Sequence, residues 1–312
     1  MRADRIISVV IPTYHRPEYL RRAVQSVLDQ NVPAGIEVEL VIAVSDAASS
    51  LDRETAESLA QQDERIRVVV APRPGAGVAR NAGLSVARGE LIALIDDDCE
   101  AQAGWLIAGI GRLEEVEMVQ GKTTPSEPLA THYARSIRVD RLSGLWETCN
   151  LFFRRAVIEK NGMFDENWPV RDPWGEDAEW GWRMVRGGTT FAFESQAYVH
   201  HAVFDNNQRE WLRHIAKVRY FPLLVKSTPE LRDAVFHGRY FLYKRHRALT
   251  AALVLLAAAA ASGAMGYRQT GKRLALAASV PLASAHVRNI QNEWVQFAAL
   301  AYGSIRHRRV VL

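Results

Sequence analysis

The run Leu91-Ile-Ala-Leu-Ile95 passes without a break into Asp96, Asp97 and Asp98. Five consecutive apolar residues shortly after Gly89 show no alternation and are too few for a helix, so they predict a strand buried on both faces. A strand of that kind belongs inside a parallel sheet covered by helices on each side, and ligands bind at the carboxyl ends of such strands. Three adjacent carboxylates repel one another, and burying an uncompensated charge is expensive, so a cation is expected to share their place. A hard divalent metal with oxygen ligands, itself bridging phosphates, meets that need. The plainer alternative is that the aspartates cap a helix beginning near Gly104 and otherwise sit in solvent.

The preceding chain agrees with a sheet of this type. Ile6 to Ile11 is a β-branched run, broken by Pro12-Thr-Tyr-His-Arg-Pro17 and followed by apolar positions at Leu20, Ala23, Val24, Val27 and Leu28. That is strand, loop and helix, with Pro17 in the first turn, where a missing N–H costs nothing. Strands at Val38 to Val44, Ile66 to Val70 and Leu91 to Ile95 then alternate with helices at Leu51 to Gln62 and Gly77 to Ala87. The alternation predicts an α/β, doubly wound, mostly parallel sheet. No Gly-x-Gly-x-x-Gly follows the first strand, which argues against a dinucleotide-binding dehydrogenase. Pro12, Thr13 and Tyr14 follow the first strand, Ser45 and Asp46 the second, and Arg80-Asn81 lies in the helix before the aspartates. Tyr14 could pack a base, Asp46 could accept a hydrogen bond from base or ribose, and Arg80 could pair with a diphosphate. Taken singly, each is equally a turn proline, a loop carboxylate or a solvated arginine; their joint placement is the stronger signal.

Glu176-Asp177 follows Trp174-Gly175 and opens a helical run, so both carboxylates fall in a first turn, where the helix dipole favours the ionised form a base requires. Ordinary N-capping is the alternative. Helical spacing puts Ala178, Trp182 and Val185 on one apolar face, expected in the core, and Asp177 on another with Trp180 and Met184, expected toward a substrate. Five of the eight tryptophans, Trp146, Trp168, Trp174, Trp180 and Trp182, lie in the segment around these carboxylates. Indoles stack on the C–H faces of sugars, which marks an acceptor side of a cleft, with Trp182 the first expected to be core instead. His200 and His201 end an alternating run from Phe191, and a neutral imidazole there could ligate a metal.

The net charge of +4 comes from 39 Lys and Arg against 35 Asp and Glu, and the basic excess lies from Arg239 to Arg309. Ala248 to Gly266 has 19 residues without a charge, nine of them alanine, and Leu274 to Val287 is a shorter apolar stretch containing Pro281. The cations Arg268, Lys272 and Arg273 between the stretches oppose a two-span hairpin under the positive-inside tendency, so helices lying in the inner leaflet are expected. A soluble helical pair packed on the catalytic domain is the alternative. The division expected is residues 1–238 as one domain and 239–312 as a basic, Ala-rich, membrane-associating tail. An anionic membrane surface fits this tail; no stacking or groove-reading motif points to nucleic acid. Two distant cysteines, Cys99 and Cys149, and no apolar run at the N-terminus predict a reduced, cytoplasmic setting at the inner membrane face, without a cleavable signal.

The succession Val10-Ile-Pro-Thr-Tyr-His-Arg16, Gly77-Val-Ala-Arg-Asn-Ala-Gly83 and Ile95-Asp-Asp-Asp98 resembles the family-2 glycosyltransferases of the GT-A fold. The resemblance continues through Asn150-Leu-Phe-Phe-Arg, Gly162-Met-Phe-Asp-Glu166, Trp174-Gly-Glu-Asp-Ala-Glu-Trp180 and Gly187-Gly188 to Val199-His200, covering about residues 5 to 205. It implies that Asp96-x-Asp98 is the metal and sugar-nucleotide motif, that Asp177 is the catalytic base and that His200 is a further metal ligand. It also implies a donor side at Pro12, Thr13, Tyr14, Arg16, Asp46, Arg80, Asp96 and Asp97, and an acceptor side at Asn150, Trp174, Glu176 and Trp180. One departure stands out: members commonly carry two acidic residues after the second strand, and here Ser45 precedes Asp46.

Glycosyl transfer needs a cation to stabilise the leaving diphosphate and a carboxylate to take the acceptor's proton, which Asp96 to Asp98 and Asp177 could supply. The expectation is a transferase dependent on Mn²⁺ or Mg²⁺, inverting as the resemblance implies, moving sugar from a nucleoside-diphosphate sugar to a glycan or lipid-linked acceptor for cell-surface or exported glycan. A sugar-nucleotide-forming nucleotidyltransferase could share the carboxylates, but its glycine- and lysine-bearing loop after the first strand is missing. A non-catalytic nucleotide-sugar binder would have no need of Asp177.

Overall fold

The computed structural model describes residues 5–168, 174–284 and 290–312. Two compact units divide at Asn207 and Gln208. In the first, the order is β1 (Arg5–Thr13), α1 (Pro17–Leu28), β2 (Ile36–Val44), α2 (Ser50–Gln62), β3 (Ile66–Val70), α3 (Ala76–Val86), β4 (Leu91–Ile95), β5 (Cys99–Ala101), α4 (Trp105–Leu113), β6 (Met118–Pro125), β7 (Asn150–Arg154), α5 (Arg155–Asn161), α6 (Glu176–Arg186) and β8 (Phe191–His201). All eight strands form one sheet in the order β3-β2-β1-β4-β7-β6-β8-β5. β3, β2, β1 and β4 are parallel neighbours, as alternation with helices requires. Beyond β4 the sheet is mixed: β7 runs antiparallel to both β4 and β6, β8 is parallel to β6, and β5 is antiparallel to β8. The expectation of a mostly parallel sheet therefore holds for the first half alone. The second half inserts a long loop and a short return strand, for which no repeating helix–strand signal exists.

All five residues of β4 are buried, which accounts for their unbroken apolar character. α1 buries Leu20, Ala23, Val24 and Val27, the stripe its spacing predicts, and starts on Pro17. α2 starts with a reciprocal cap in which Ser49 and Asp52 satisfy each other's backbone N–H groups. α3 lies close on β1 and β2 because Gly83 has no side chain: a Cβ there would meet Val10 Cγ1 at 2.4 Å. At the end of the sheet away from the aspartates, buried Glu39 accepts from Ser8 Oγ (2.5 Å), Arg88 N (2.8 Å), Arg88 Nε (2.7 Å) and Arg67 Nη1 (3.0 Å). Burial alone would raise its pKa, but these donors hold it below the usual carboxylate range.

The second unit holds α7 (Gln208–Ile215), a short 3₁₀ turn (Ala216–Tyr220), α8 (Phe221–Ser227), α9 (Leu231–Ala234), α10 (Lys244–Ala264), α11 (Arg268–Ser284) and α12 (Ile290–His307). The change in composition at Arg239 falls inside this unit. α10 and α11 pack as a hairpin, and α12 packs on α7 and α8. Val254, Met265, Tyr267 and Leu276 are exposed on the hairpin. Among the described residues no helix is long and apolar enough to cross a membrane. The apolar stretch ending at Val287 extends beyond Ser284, and residues 285–287 lie outside the described residues.

Candidate active site

The carboxyl ends of β1 and β4 and the first turn of α6 meet at one place, and a network of charges organises it. The loop after β1 is tied at two points. Thr13 Oγ1 and Tyr14 N donate to Asp97 Oδ2 at 2.8 and 3.2 Å. His15 N and Arg16 N donate to the two oxygens of Asp52, each at 3.1 Å. Asp52 is fully buried, and its four backbone and hydroxyl donors overcome the effect of burial and lower its pKa. The loop so held turns through His15 at φ +57° and leaves Tyr14 exposed beside the His15 ring. Arg16 Nη1 reaches Asp97 Oδ1 at 3.1 Å and Asp98 Oδ2 at 2.5 Å, with its guanidinium over the Phe204 ring. Burial works against its charge, but the carboxylates of Asp98 and Asp97 outweigh burial and raise its pKa.

The three aspartates have different surroundings. Asp97 is buried, and burial together with neighbouring Asp98 pushes its carboxyl up to about 7 despite Arg16 and Thr13. Its bonds go to the β1 loop, so it holds that loop in shape. Asp98 faces Arg16 on one oxygen, while its other oxygen lies 3.5 Å from His201 Nε2. Asp98, Cys99 and His201 offer ligand atoms within 4.8 Å of one another, a grouping that could hold a metal ion. Burial and Cys149 raise the Cys99 thiol well above its ordinary value, which leaves the carboxylate oxygen and the imidazole as the donors available to a divalent metal. His200, the ligand expected from sequence, bonds the Tyr198 hydroxyl through its Nε2 at 2.7 Å. Neighbouring strand residues face opposite sides, and Cys99 pairs with His201 between β5 and β8. Asp46 stands apart, half exposed, its backbone carbonyl accepting from Arg53. Pro12, at the end of β1 beside Ala43, is partly buried.

Arg80 is a buried cation among three carboxylates. Its Nη2 lies 2.9 Å from Asp96 Oδ1, and its Nη1 lies 3.4 Å from Glu176 Oε1 and 3.5 Å from Asp177 Oδ1. Burial disfavours its charge, and Asp96, Asp177 and Glu176 more than reverse that. The residue expected to pair with a diphosphate thus joins the aspartate motif to the helix bearing the candidate base. Burial and Asp177 push Glu176 up to about 7, with Arg80 opposing, and Glu176 Oε2 is buried without a hydrogen-bond partner among the described residues. Burial also raises Asp177, with Arg80 and Thr148 opposing and Asp96 adding to the rise. Asp177 Oδ2 accepts from Thr148 Oγ1 at 3.0 Å and Thr148 N at 3.3 Å, and the side chain keeps 26% exposure.

Two residues expected on the acceptor side are fully buried. Trp180 is fully buried, stacked on Phe164, tilted against Phe153 and bonded through Nε1 to Gly162 O. Asn150 is fully buried and takes all its bonds from protein: Nδ2 donates to Lys122 O and Ala197 O, and Oδ1 accepts from Trp105 Nε1. The core face of α6 is Ala178, Trp180, Gly181 and Met184, whereas Trp182 is only partly buried and donates to Gly144 O. Trp174, also partly buried, accepts from Trp168 Nε1 through its carbonyl. Asp52 and Thr148 are not singled out by sequence as parts of this site, and His201 is named there only beside His200. Asn81 clamps the segment before α6 by accepting from Phe164 N and donating to Phe164 O and Glu166 Oε1.

Comparison with known proteins places this geometry in a family. Residues 8–176 match the model described as Glycosyl transferase family 2. The chain is 28% identical over 256 residues to succinoglycan biosynthesis protein ExoM of Rhizobium meliloti (strain 1021), covering 77% of this chain and 76% of that protein. It is 25% identical over 201 residues to glycosyltransferase AglE of Haloferax volcanii, covering 60% of this chain and 64% of that one. Among solved structures, mannosyltransferase PcManGT from Pyrobaculum calidifontis, in complex with GDP-Man and Mn²⁺, superposes with a TM-score of 0.62 at 16% identity, covering 97% of this chain and 86% of that one. At that identity the likeness is one of fold, the GT-A fold. Because the family model spans more than half of the sequence, from β1 to the Glu176 carboxylate, the chain belongs to glycosyl transferase family 2 and is a glycosyltransferase.

Proposed function

We propose that this glycosyltransferase moves a sugar from a nucleoside-diphosphate sugar to an acceptor hydroxyl with inversion, in the assembly of exported or cell-surface glycan. The observation that carries the reading is the convergence of Asp96 to Asp98, the tethered Thr13–Arg16 loop and a partly exposed Asp177 at one place. The biosynthetic name of ExoM and the GDP-Man and Mn²⁺ of PcManGT support it. Asp177 Oδ2 is taken up by Thr148, so Oδ1 is the oxygen that accepts the acceptor's proton. The freed acceptor oxygen bonds the anomeric carbon from the face opposite the leaving group, and the bond to the nucleoside diphosphate breaks. Tyr14 packs the base, Arg16 serves the diphosphate, and Thr13 and Asp97 hold that loop in shape; Asp46 remains a candidate for the base or ribose. Trp174 and Glu176 flank the acceptor side. Asp98 and His201, with Asp96 at the same strand end, would hold a divalent metal, which when bound supplies positive charge to the leaving diphosphate. The acceptor is a glycan or lipid-linked hydroxyl at the inner face of the cell membrane, and the second unit brings the enzyme there. From Asp233 to Glu293 the sequence has no intervening carboxylate, while Lys244, Arg268, Lys272 and Arg273 lie on the α10–α11 hairpin, suited to anionic lipid.

A panel of nucleoside-diphosphate sugars, with and without Mn²⁺, tests the reading. Slow metal-dependent release of nucleoside diphosphate from one donor is expected. Pyrophosphate-dependent turnover would indicate a nucleotidyltransferase instead, and saturable binding without release under any condition would indicate a binding module.

A further inference from the structure

We propose that Thr148 is the positioning residue for the base, set in place by a strained turn clasped to the helix that carries Asp177; this rests on the reading of Asp177 as the base. The segment from Gly144 to Thr148 touches α6 at three points. Trp182 Nε1 donates to Gly144 O at 2.8 Å. The Trp146 ring fills the notch at Gly181, where even a Cβ would come within 2.2 Å of its Cγ. Thr148 N and Oγ1 both donate to Asp177 Oδ2. Between the outer two contacts, Trp146 has φ +56°, a left-handed conformation that bulky side chains rarely adopt. Its ring is buried and meets Trp182 and Phe191 edge-on, so the turn cannot relax without losing that packing. Ser143 Oγ donates to both oxygens of Glu147 at 2.9 Å, which fixes the residue just before Thr148.

The consequence is geometric. A carboxylate at the end of a two-torsion side chain can rotate, and each rotation carries the proton-accepting oxygen away from the acceptor. Two donors on the same oxygen, one from backbone and one from a fully buried hydroxyl, fix both torsions and leave Oδ1 turned away from Thr148, with Arg80 Nη1 3.5 Å from it. Thr148 itself transfers no proton and touches no reacting atom.

Steady-state kinetics of the full chain with Thr148→Val and Thr148→Ser test this. Valine keeps the shape and removes the hydroxyl; since misplacing a catalytic group by about 1 Å can cost about 100-fold, kcat should fall roughly 10- to 100-fold. Donor KM should stay at the wild-type value, and serine should restore kcat to within about threefold. A lesion that was merely structural would lower the melting temperature without this split and without serine rescue, which would overturn the proposal. So would a wild-type kcat in Thr148→Val. If the valine variant does not fold, Trp182→Phe, which removes the bond to Gly144 and trims the ring that meets Trp146, decides: a lower kcat at constant donor KM supports the proposal, and unchanged kcat overturns it. Asp177→Asn run alongside separates the two readings. If it is inactive while Thr148→Val is normal, only the positioning role falls; if it is active, the base assignment falls and takes this role with it.

Discussion

Replacing Arg80 with methionine would leave Asp96, Glu176 and Asp177 without their shared cation, and the structure sets both the size of the effect and its pH dependence. Each carboxylate oxygen lies 2.9 to 3.5 Å from the guanidinium, whose side chain is only 6% exposed. Removing one partner from a buried ion cluster typically costs about 3–5 kcal/mol. At pH 7 the loss should sit near the lower limit, because Glu176 already titrates at about 7 and can neutralise itself at little expense. A carboxyl whose folded pKa lies above its unfolded value loses stability as pH rises from the unfolded value to the folded one. In the wild type that loss is complete soon above pH 7. In Arg80→Met the folded pKa of the pair moves higher, so the native state keeps a proton that the unfolded state has given up. The gap between the two proteins should therefore widen by about 1.4 kcal/mol for each pH unit from 7 to 9. Urea unfolding in chelator at pH 7, 8 and 9 measures it; at about 2–4 °C per kcal/mol, the melting temperature at pH 7 should fall by roughly 6–12 °C. Arg80→Lys keeps the charge and should lose less than half as much, with a nearly constant gap. A loss below about 1 kcal/mol, or a gap independent of pH, would refute the assignment of Arg80 as the cation that makes the cluster tolerable.

Two further outcomes follow from other parts of the chain. Glu39→Gln removes a buried carboxylate serving four donors far from the aspartates, and should cost about 2–3 kcal/mol with kcat unchanged. Because Glu39 has its folded pKa below the unfolded value, its contribution is present above about pH 4.5 and lost as pH falls through the folded pKa, so the glutamine variant should lack that part of the acid dependence in unfolding titrations. For the hairpin, the full chain should float with anionic liposomes and release in high salt; at about 1 kcal/mol per surface cation, changing Arg268, Lys272 and Arg273 together to glutamate should weaken binding by more than 100-fold. Equal binding to neutral liposomes would set that partner aside.

What could be seen in the sequence depended on whether the signal was local. β3 and β4 were bounded to the residue, since a buried parallel strand is a plain apolar run between breakers. The mixed half of the sheet was not, because β6 and β7 are separated by a loop with no period and their pairing is a long-range fact. At the site, Asp96 to Asp98 and Glu176-Asp177 stood out because adjacent carboxylates at element ends are unusual. The resemblance points to His200, whereas His201 is the histidine 3.5 Å from Asp98, and a shift of one residue on a strand reverses the face. On α6 both candidate faces held tryptophan, so spacing could not say that Phe164 and Phe153 would enclose Trp180. Thr148 and Asp52 carry no local mark: each matters through a partner 29 or 37 positions away.

The central claim is that Asp177 takes the proton from the acceptor at a site whose donor side is intact without it. Asp177→Asn keeps shape and polarity and removes the proton-accepting oxygen, so acceptor transfer should fall by about 10²- to 10⁴-fold while affinity for nucleoside diphosphate with Mn²⁺ stays at the wild-type value. Glu176→Gln measured in parallel should retain transfer, because its carboxylate is the more enclosed of the two. Near wild-type transfer in Asp177→Asn with Glu176→Gln inactive would contradict the account and move the base to Glu176.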